Sequence, residues 1–226
     1  MIDRFDNPSN PWPIREFENR LTQENVLAEL TQKRQFNIGF DVREKSLEAV
    51  MQEVAISRFG QSNVAKTTKI GKTIGLQSAS FPANAQPDIV VLHDNYYHIC
   101  ELKSSRTEYS RFDCVMESRP FREYLQSIGH EGNNPWEVEQ DLIKLHMYKG
   151  LSGNVGSCLF LMVDAYEGRG RSWTTVFENR RMFLDTMRTD VVRRLADSIL
   201  ERTSIKNIES EGATARLIIS VIHPYH

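Results

Sequence analysis

The sequence predicts an α/β protein, a three-layer α/β/α sandwich with helices on both faces of a mixed central sheet. Two observations lead to this prediction. Residues 155–165, VGSCLFLMVDA, form a nearly unbroken apolar run of strand length, which is typical of a strand covered on both faces. Residues 41–60 instead carry apolar side chains at helical spacing, and helix-like and strand-like segments follow one another along the chain.

The first part of the chain predicts mostly helix. Residues 1–13 hold three of the eight prolines, which indicates an irregular arm. Residues 14–34 place apolar side chains at roughly helical spacing and predict one or two helices. Residues 41–60 form the clearest amphipathic helix, and Gly60 is a C-terminal stop. Residues 61–86 are rich in Gly, Thr, Lys and Ser and predict a strand or two.

The β core and two further helices follow. Residues 87–103 predict a hairpin of two strands. The remaining segments are predicted, in order, as an irregular stretch at 104–136, a helix at 137–149, a strand at 155–165, a helix at 176–201 and a last strand at 215–224. A chain of 226 residues suits one globular unit. We expect an arm and helical lead-in at 1–40 and the main domain at 41–226.

Composition narrows the functional classes. Hydrophobic residues make up 40% and charged residues 26%, which is ordinary for a globular protein. A formal charge of −2 means that any nucleic-acid surface must be local. The odd cysteine count, Cys100, Cys114 and Cys158 without a CxxC pair, argues against a disulfide framework and a structural zinc site. We expect a cytoplasmic protein with no membrane contact, because neither a secretion signal nor a long apolar segment is found.

The predicted hairpin places two carboxylates side by side. If Asp94 and Asn95 form a two-residue turn, counting outward along both strands puts Asp88 opposite Glu101. Directly opposed side chains of an antiparallel pair are about 5 Å apart at Cβ, and like charges there destabilise the sheet. A divalent cation would compensate for this repulsion.

Lys103 completes a polar group at the end of an otherwise apolar hairpin. It lies two residues beyond Glu101 and therefore on the same face. Charges at the edge of a core are usually paired, metal-bound or functional. Hard oxygen ligands with a nearby lysine suit hydrolysis of a phosphodiester with Mg²⁺. The alternative is that Glu101 and Lys103 decorate an edge strand, but such a strand is rarely apolar on both faces.

The motif formed by Pro87, Asp88, Glu101 and Lys103 resembles that of the PD-(D/E)XK nuclease superfamily, whose members include restriction endonucleases, Holliday-junction resolvases and RecB-type exonucleases. The likeness extends to the predicted α-β-β-β-α-β order over 41–165. It implies a restriction-endonuclease-like core in which Asp88 and Glu101 bind Mg²⁺, for which Mn²⁺ can substitute. Lys103 would then be the base that activates water or an electrostatic stabiliser.

Many members of this superfamily add a glutamate from the first helix. Glu44 and Glu48 both flank the apolar stripe of the helix at 41–60, and Glu44 is slightly favoured. In the helix at 137–149, Gln140 and Lys144 lie one turn apart and resemble polar residues that some members direct at the site. A plain surface pair is the preferred interpretation of these two.

Basic residues in flexible, glycine-containing stretches are candidates for phosphate or base contacts. The candidates for DNA contact are Lys69, Lys72, Arg119, Arg169 and Arg171, with Lys66, Arg122, Arg180 and Arg181 as further ones.

The sequence therefore predicts a Mg²⁺-dependent DNA endonuclease of the restriction or defence type. A duplex cutter would act as a homodimer, because one site cuts one strand. Three alternatives stay open: a structure-specific or exonucleolytic repair nuclease, a non-catalytic nuclease-fold subunit that works with a partner protein, and an enzyme acting on RNA.

Overall fold

The protein is α/β with a mixed, open sheet of six strands. The structure is a computed structural model, and it describes residues 11–23, 31–33, 40–42, 44–66, 87–104, 141–142, 144–146, 148–149, 153–164, 173–181, 199–210 and 213–222. Within these residues, no helix combines the length and the apolar character needed to cross a membrane.

The six-stranded sheet has the order β3-β4-β5-β6-β8-β7. Its strands are β3 (Val64–Lys66), β4 (Ile89–His93), β5 (Tyr96–Ser104), β6 (Val155–Asp164), β7 (Thr203–Ser210) and β8 (Ala213–Ile222). Strands β5 and β6 are parallel, and the other neighbours are antiparallel. The buried strand predicted at 155–165 is confirmed as β6, and the last strand is confirmed as β8.

Two helices cover one face of this sheet. Helix α1 (Ile14–Thr22) buries Ile14, Phe17 and Leu21, which lie on one side of the helix. Helix α2 (Glu44–Phe59) turns Leu47 and Met51 into the same core. That core includes the alternate side chains of β6 that face the two helices, namely Leu159, Leu161 and Val163. The amphipathic helix predicted for 41–60 is thus confirmed over Glu44–Phe59, whereas Asp41 and Val42 belong to a short strand.

Helix α2 ends where the sequence predicts. Gly60 has a φ of 85°, a left-handed value that L side chains rarely adopt, and its N–H donates to the carbonyl of Ile56 at 2.8 Å. The side chain of Asn63 then donates to the carbonyl of Phe59 at 2.8 Å. A short 3₁₀ turn (Gln61–Asn63) carries the chain into β3.

The opposite face of the sheet is also covered. Helix α3 consists, in its described part, of residues 141–142, 144–146 and 148–149, and it buries Leu145 and Tyr148. Helix α4 (Trp173–Glu178) places Phe177 on Phe160 of β6, with ring centroids 6.2 Å apart. The described helices therefore lie against both faces of the sheet.

The hairpin of β4 and β5 has the predicted register. Asp94 and Asn95 have φ values of 49° and 66°, as a two-residue type I′ turn requires. Val90 pairs with Ile99, as counting from this turn predicts. The register of the hairpin is confirmed.

Two strand pairs were not predicted. Strands β1 (Thr31–Lys33) and β2 (Phe40–Val42) form a separate antiparallel pair, so the helical expectation for 14–34 is wrong at its end. Pairing between distant segments overrides the local helical spacing there. In the described part of the chain, strand β7 pairs with β8 at the edge of the sheet, and its half-buried side chains carry little period-two signal. Most of the helix predicted at 176–201 lies outside the described residues.

A bulge between β5 and β6 brings backbone and ring close together. The pairing shifts by one residue between Tyr97 and His98, and Gly156 is the extra residue on β6. A Cβ on Gly156 would lie 2.5 Å from Cε1 of His98 and 2.9 Å from Cβ of Tyr96. Nδ1 of His98 lies 2.8 Å from the hydroxyl of Ser157. This packing requires glycine at position 156.

Gly156→Ala is therefore expected to lower the free energy of unfolding by about 1–3 kcal/mol, because the added methyl group overpacks the bulge. Gly153→Ala is the matched control, since a Cβ there meets no atom within 4 Å. Urea denaturation of the two variants measures the difference. Equal midpoints for both variants would contradict the close packing at Gly156.

The buried ring of His98 predicts a dependence of stability on pH. Burial lowers the pKa of His98 to about 4, against 6.5 for a free histidine. Between these values the unfolded chain binds a proton that the folded protein does not, so stability falls as the pH falls from 6.5 to 4. His98→Gln is expected to flatten this slope, as measured by urea midpoints across this range. An unchanged slope in the variant would refute the prediction.

Candidate active site

Asp88 lies where β4 stops pairing with β5. The last registered pair of the two strands joins Ile89 to Cys100, and Pro87 has no N–H with which to extend the ladder. The backbone N–H of Leu102 instead donates to Oδ2 of Asp88 at 2.7 Å. Burial raises the pKa of Asp88, and the hydrogen bond from Leu102 opposes this rise. One carboxylate oxygen of Asp88 is thus anchored to β5.

Glu101 lies next to Asp88 on the continued register, and its exposed fraction is 2%. Nζ of Lys144 lies 3.3 Å from its Oε1. Burial raises the pKa of Glu101 well above its usual range, although the ammonium group of Lys144 opposes this rise. The carboxylates of Asp141 and Asp88 raise this pKa further. Ionised Glu101 therefore needs positive charge close by.

Helix α3 supplies the charged partners. Asp141, Lys144 and Tyr148 follow one another at intervals of three and four residues, which places them on one face of the helix. Lys144 contacts Glu101 and Asp141 contacts Lys103, so this helix face lies against the face of β5 that carries these two residues. Tyr148, on the same face of the helix, is fully buried. Burial raises the pKa of Tyr148 well above its usual range.

Asp141 connects the two lysines. Its Oδ1 lies 2.6 Å from Nζ of Lys144, and its Oδ2 lies 3.2 Å from Nζ of Lys103. Burial disfavours the ionised form of Asp141, but the ammonium groups of Lys144 and Lys103 hold its pKa below the usual value. Burial likewise opposes the charge on Lys144, and the carboxylates of Asp141 and Glu101 raise its pKa well above the usual range. We call Glu101, Lys103, Asp141 and Lys144 the buried charge network.

The structure describes the side chain of only one of the two candidate helix glutamates, Glu44 and Glu48. Glu48 is half-buried and close enough to Asp88 to raise its pKa. The backbone of Glu44 belongs to α2, but its side chain lies outside the described residues. Of the two glutamates, Glu48 is the one whose side chain the structure describes, and its charge acts on Asp88.

The predicted DNA contacts fall mostly outside the described part of the chain. This holds for all five principal candidates, Lys69, Lys72, Arg119, Arg169 and Arg171. Of the further candidates, Arg180 and Arg181 are exposed near the end of α4. Gln140, the predicted partner of Lys144, also lies outside the described residues.

Asp141 was not among the predicted site residues, and the predicted surface position of Lys144 is wrong. The interpretation of Lys144 as part of a surface pair is wrong, because its side chain is 14% exposed and contacts Glu101. Asp141 precedes Lys144 by three residues, a spacing at which oppositely charged side chains meet on a helix. That pair was a usable signal, but only the fold reveals that it faces the sheet.

The carboxylates fit a hydrated divalent cation. Mg²⁺ is commonly held by one or two carboxylates together with water and phosphate oxygens. Asp88 and Glu101 offer such a pair, and burial makes added positive charge favourable for both. Among the residues that the structure describes, no three His, Cys, Asp or Glu side chains are grouped so that they could hold a metal ion. Water and phosphate would therefore have to complete the coordination.

Comparison with known proteins gave no match: no family model fits the chain, and neither curated proteins nor solved structures resemble it closely enough to match. A function for the chain therefore rests on its own sequence and geometry.

Lys144→Met is expected to lower the free energy of unfolding by about 2–4 kcal/mol, because it leaves buried Glu101 and Asp141 without their shared cation. Lys206→Met is the control, since Lys206 contacts Glu18 at 3.1 Å but both side chains are about one quarter exposed. That variant is expected to lose at most about 1 kcal/mol. Equal losses in chemical denaturation would contradict the burial of the network.

Proposed function

We propose that this protein is a Mg²⁺-dependent DNA endonuclease with a restriction-endonuclease-like core. The observation that carries this proposal is the juxtaposition of Asp88, Glu101 and Lys103 at the end of a buried hairpin, with charged residues of α3 packed over them. Buried charges that depend on one another in this way are enriched at functional sites.

The order of elements supports the finer assignment. Among the described residues, helix α2, strands β3, β4 and β5, helix α3 and strand β6 occur in this order along the chain, which agrees with the α-β-β-β-α-β order of the superfamily that the motif resembles. The parallel pairing of β5 and β6 agrees with a helical crossover between them.

Each residue has a distinct task in this proposal. Asp88 and Glu101 would hold the cation, and the charge of Glu48 contributes to the raised pKa of Asp88. A bound divalent cation lowers the pKa of the attacking water and offsets the negative charge that grows on the phosphate. In this reaction the oxygen of water would bond to phosphorus and a proton of that water would pass to solvent. The bond to the leaving sugar oxygen would break, and that oxygen would take up a proton from solvent, which yields a phosphomonoester and a hydroxyl group.

Lys103 is assigned an electrostatic task. Its ammonium group lies 3.2 Å from the carboxylate of Asp141, and an ion pair of this kind favours the charged form of the lysine. A charged ammonium group cannot accept a proton from water. We therefore assign Lys103 to stabilising the charge on the phosphate, in preference to acting as the base.

Cutting both strands of a duplex requires two such sites, so we propose that the active form on duplex DNA is a homodimer. Delivery by a partner protein within a defence or repair assembly is compatible with this chemistry. The weak overall charge of −2 limits the DNA surface to local basic patches.

Asp88→Asn and Glu101→Gln are each expected to reduce cleavage at least about 100-fold, because each removes an anionic oxygen ligand of the cation. Both amides keep an oxygen acceptor for the N–H of Leu102 or the ammonium group of Lys144, so the variants should remain folded. The assay uses supercoiled, linear, single-stranded and branched DNA and RNA with Mg²⁺, Mn²⁺ or EDTA.

Asp94→Asn in the hairpin turn is the matched control, because this exposed carboxylate lies at the other end of β4. It should cleave like the wild type. Discrete fragments from duplex DNA would support the endonuclease proposal. Cleavage at the junction of branched DNA, or progressive degradation from DNA ends, would indicate a repair nuclease. Full activity in Asp88→Asn, or no metal-dependent cleavage of any substrate, would overturn the proposed function.

A further inference from the structure

We propose that Asp141 is a positioning residue whose two carboxylate oxygens each hold one ammonium group, which fixes Lys103 and Lys144 around the carboxylate pair. This inference deepens the proposed function and rests on it for its catalytic meaning. The arrangement of Asp141, Lys103 and Lys144 follows from the distances between their side chains and does not depend on the proposed function.

The distances define the bridge. Oδ1 of Asp141 lies 2.6 Å from Nζ of Lys144, and Oδ2 lies 3.2 Å from Nζ of Lys103. Lys103 is on β5 and Lys144 is on α3, so one carboxylate joins the sheet to the helix above it. The carboxylate is also nearly enclosed, with its side chain 5% exposed. The contact of Oδ2 with Lys103 is an ion pair without hydrogen-bond geometry. Enclosure and charge attraction therefore restrict where this ammonium group can lie.

Without Asp141, each of the two lysines would lose an ion pair that helps to fix its ammonium group. Lysine has a long, flexible stem, and its ammonium group is not directional by itself. Lys144 already contacts Glu101 at 3.3 Å, and Glu101 is one of the two proposed ligands of the cation. By drawing Lys144 to its Oδ1, Asp141 limits the hold of this lysine on Glu101. The other oxygen keeps Lys103 beside the position where phosphate would be bound.

Asp141 thus acts on the reaction through other residues. Asp141→Asn is expected to lower kcat by about 10- to 100-fold, in the range seen when supporting residues around a metal site are changed. KM for DNA should change less than about threefold, because the neighbouring carboxylates and the DNA surface are untouched. A purely structural role would instead reduce the amount of active protein and leave kcat per active site unchanged.

Lysine ammonium signals in ¹H–¹⁵N spectra test the positioning directly and need no substrate. An ammonium group held in a buried ion pair exchanges its protons slowly and gives an observable signal. We expect such signals for Lys103 and Lys144 in the wild type, assigned by their loss in Lys103→Arg and Lys144→Arg. Asp141→Asn should lose or shift both signals, whereas Asp94→Asn should retain them.

A double variant keeps the test valid if Asp141→Asn does not fold. Asp141→Asn with Lys144→Gln removes one negative and one positive charge together, so the buried charge network keeps the net charge that it has in the wild type. Lys103 should lose its signal in this variant and keep it in Lys144→Gln alone. Unchanged Lys103 signals in either folded Asp141 variant, or their absence from the wild type, would overturn the positioning role.

The two hypotheses fail in different ways. If the ammonium signals depend on Asp141 but the wild type cleaves no nucleic acid, the positioning role stands and the proposed function fails. If the wild type cleaves DNA and Asp141→Asn has the same kcat and the same ammonium signals, the proposed function stands and the positioning role fails.

Discussion

The register of the β4–β5 hairpin is the constraint on which the candidate site depends. Asp94 and Asn95 adopt left-handed backbone conformations, and the two-residue turn that they form fixes which residues pair. A shift by one residue would move every side chain of one strand to the other face. Glu101 would then leave the face covered by α3. A turn at one end of the hairpin thus determines the chemistry at the other.

The parallel pairing of β5 and β6 imposes a second constraint. Glu101 and Lys103 pair across the strands with Phe160 and Met162 of β6, which are fully buried and apolar. The residues of β6 that pair directly with these charges therefore offer them no polar side chain. Parallel strands require a long connection, and here that connection includes α3. The partners of Glu101 and Lys103 consequently come from the helix that the topology places above them.

The sequence predicted correctly those features that depend on interactions within a few residues of the chain. The turn at Asp94 and Asn95, the stop at Gly60 and the apolar strand β6 each carry a signal within a few residues. Asp88 and Glu101 could be placed side by side because a two-residue turn makes register a matter of counting.

The missed features depend on distant contacts. The strand nature of β1 depends on β2, and that of edge strand β7 depends on β8, so neither has a strong pattern of its own. The dipeptide between β7 and β8, Glu211-Gly212, contains a glycine but is not one of the pairs typical of two-residue hairpin turns, so the second pair had no strong local signal. Asp141 and Lys144 form an ordinary helix-surface pair in sequence, and only packing of the helix against β5 gives them partners there.

Stability alone does not account for the buried charge network. Removing charges from water carries a large desolvation cost, and well-packed apolar residues in place of a buried ion pair are often as stable or more stable. The surroundings of Glu101 are suited to such a replacement, since Phe160, which pairs with it across the strands, is apolar and fully buried. Four charged side chains in this layer therefore indicate a role in binding or chemistry. The raised pKa values of Asp88 and Glu101 point in the same direction, because both carboxylates would gain from a cation that the lysines supply only in part.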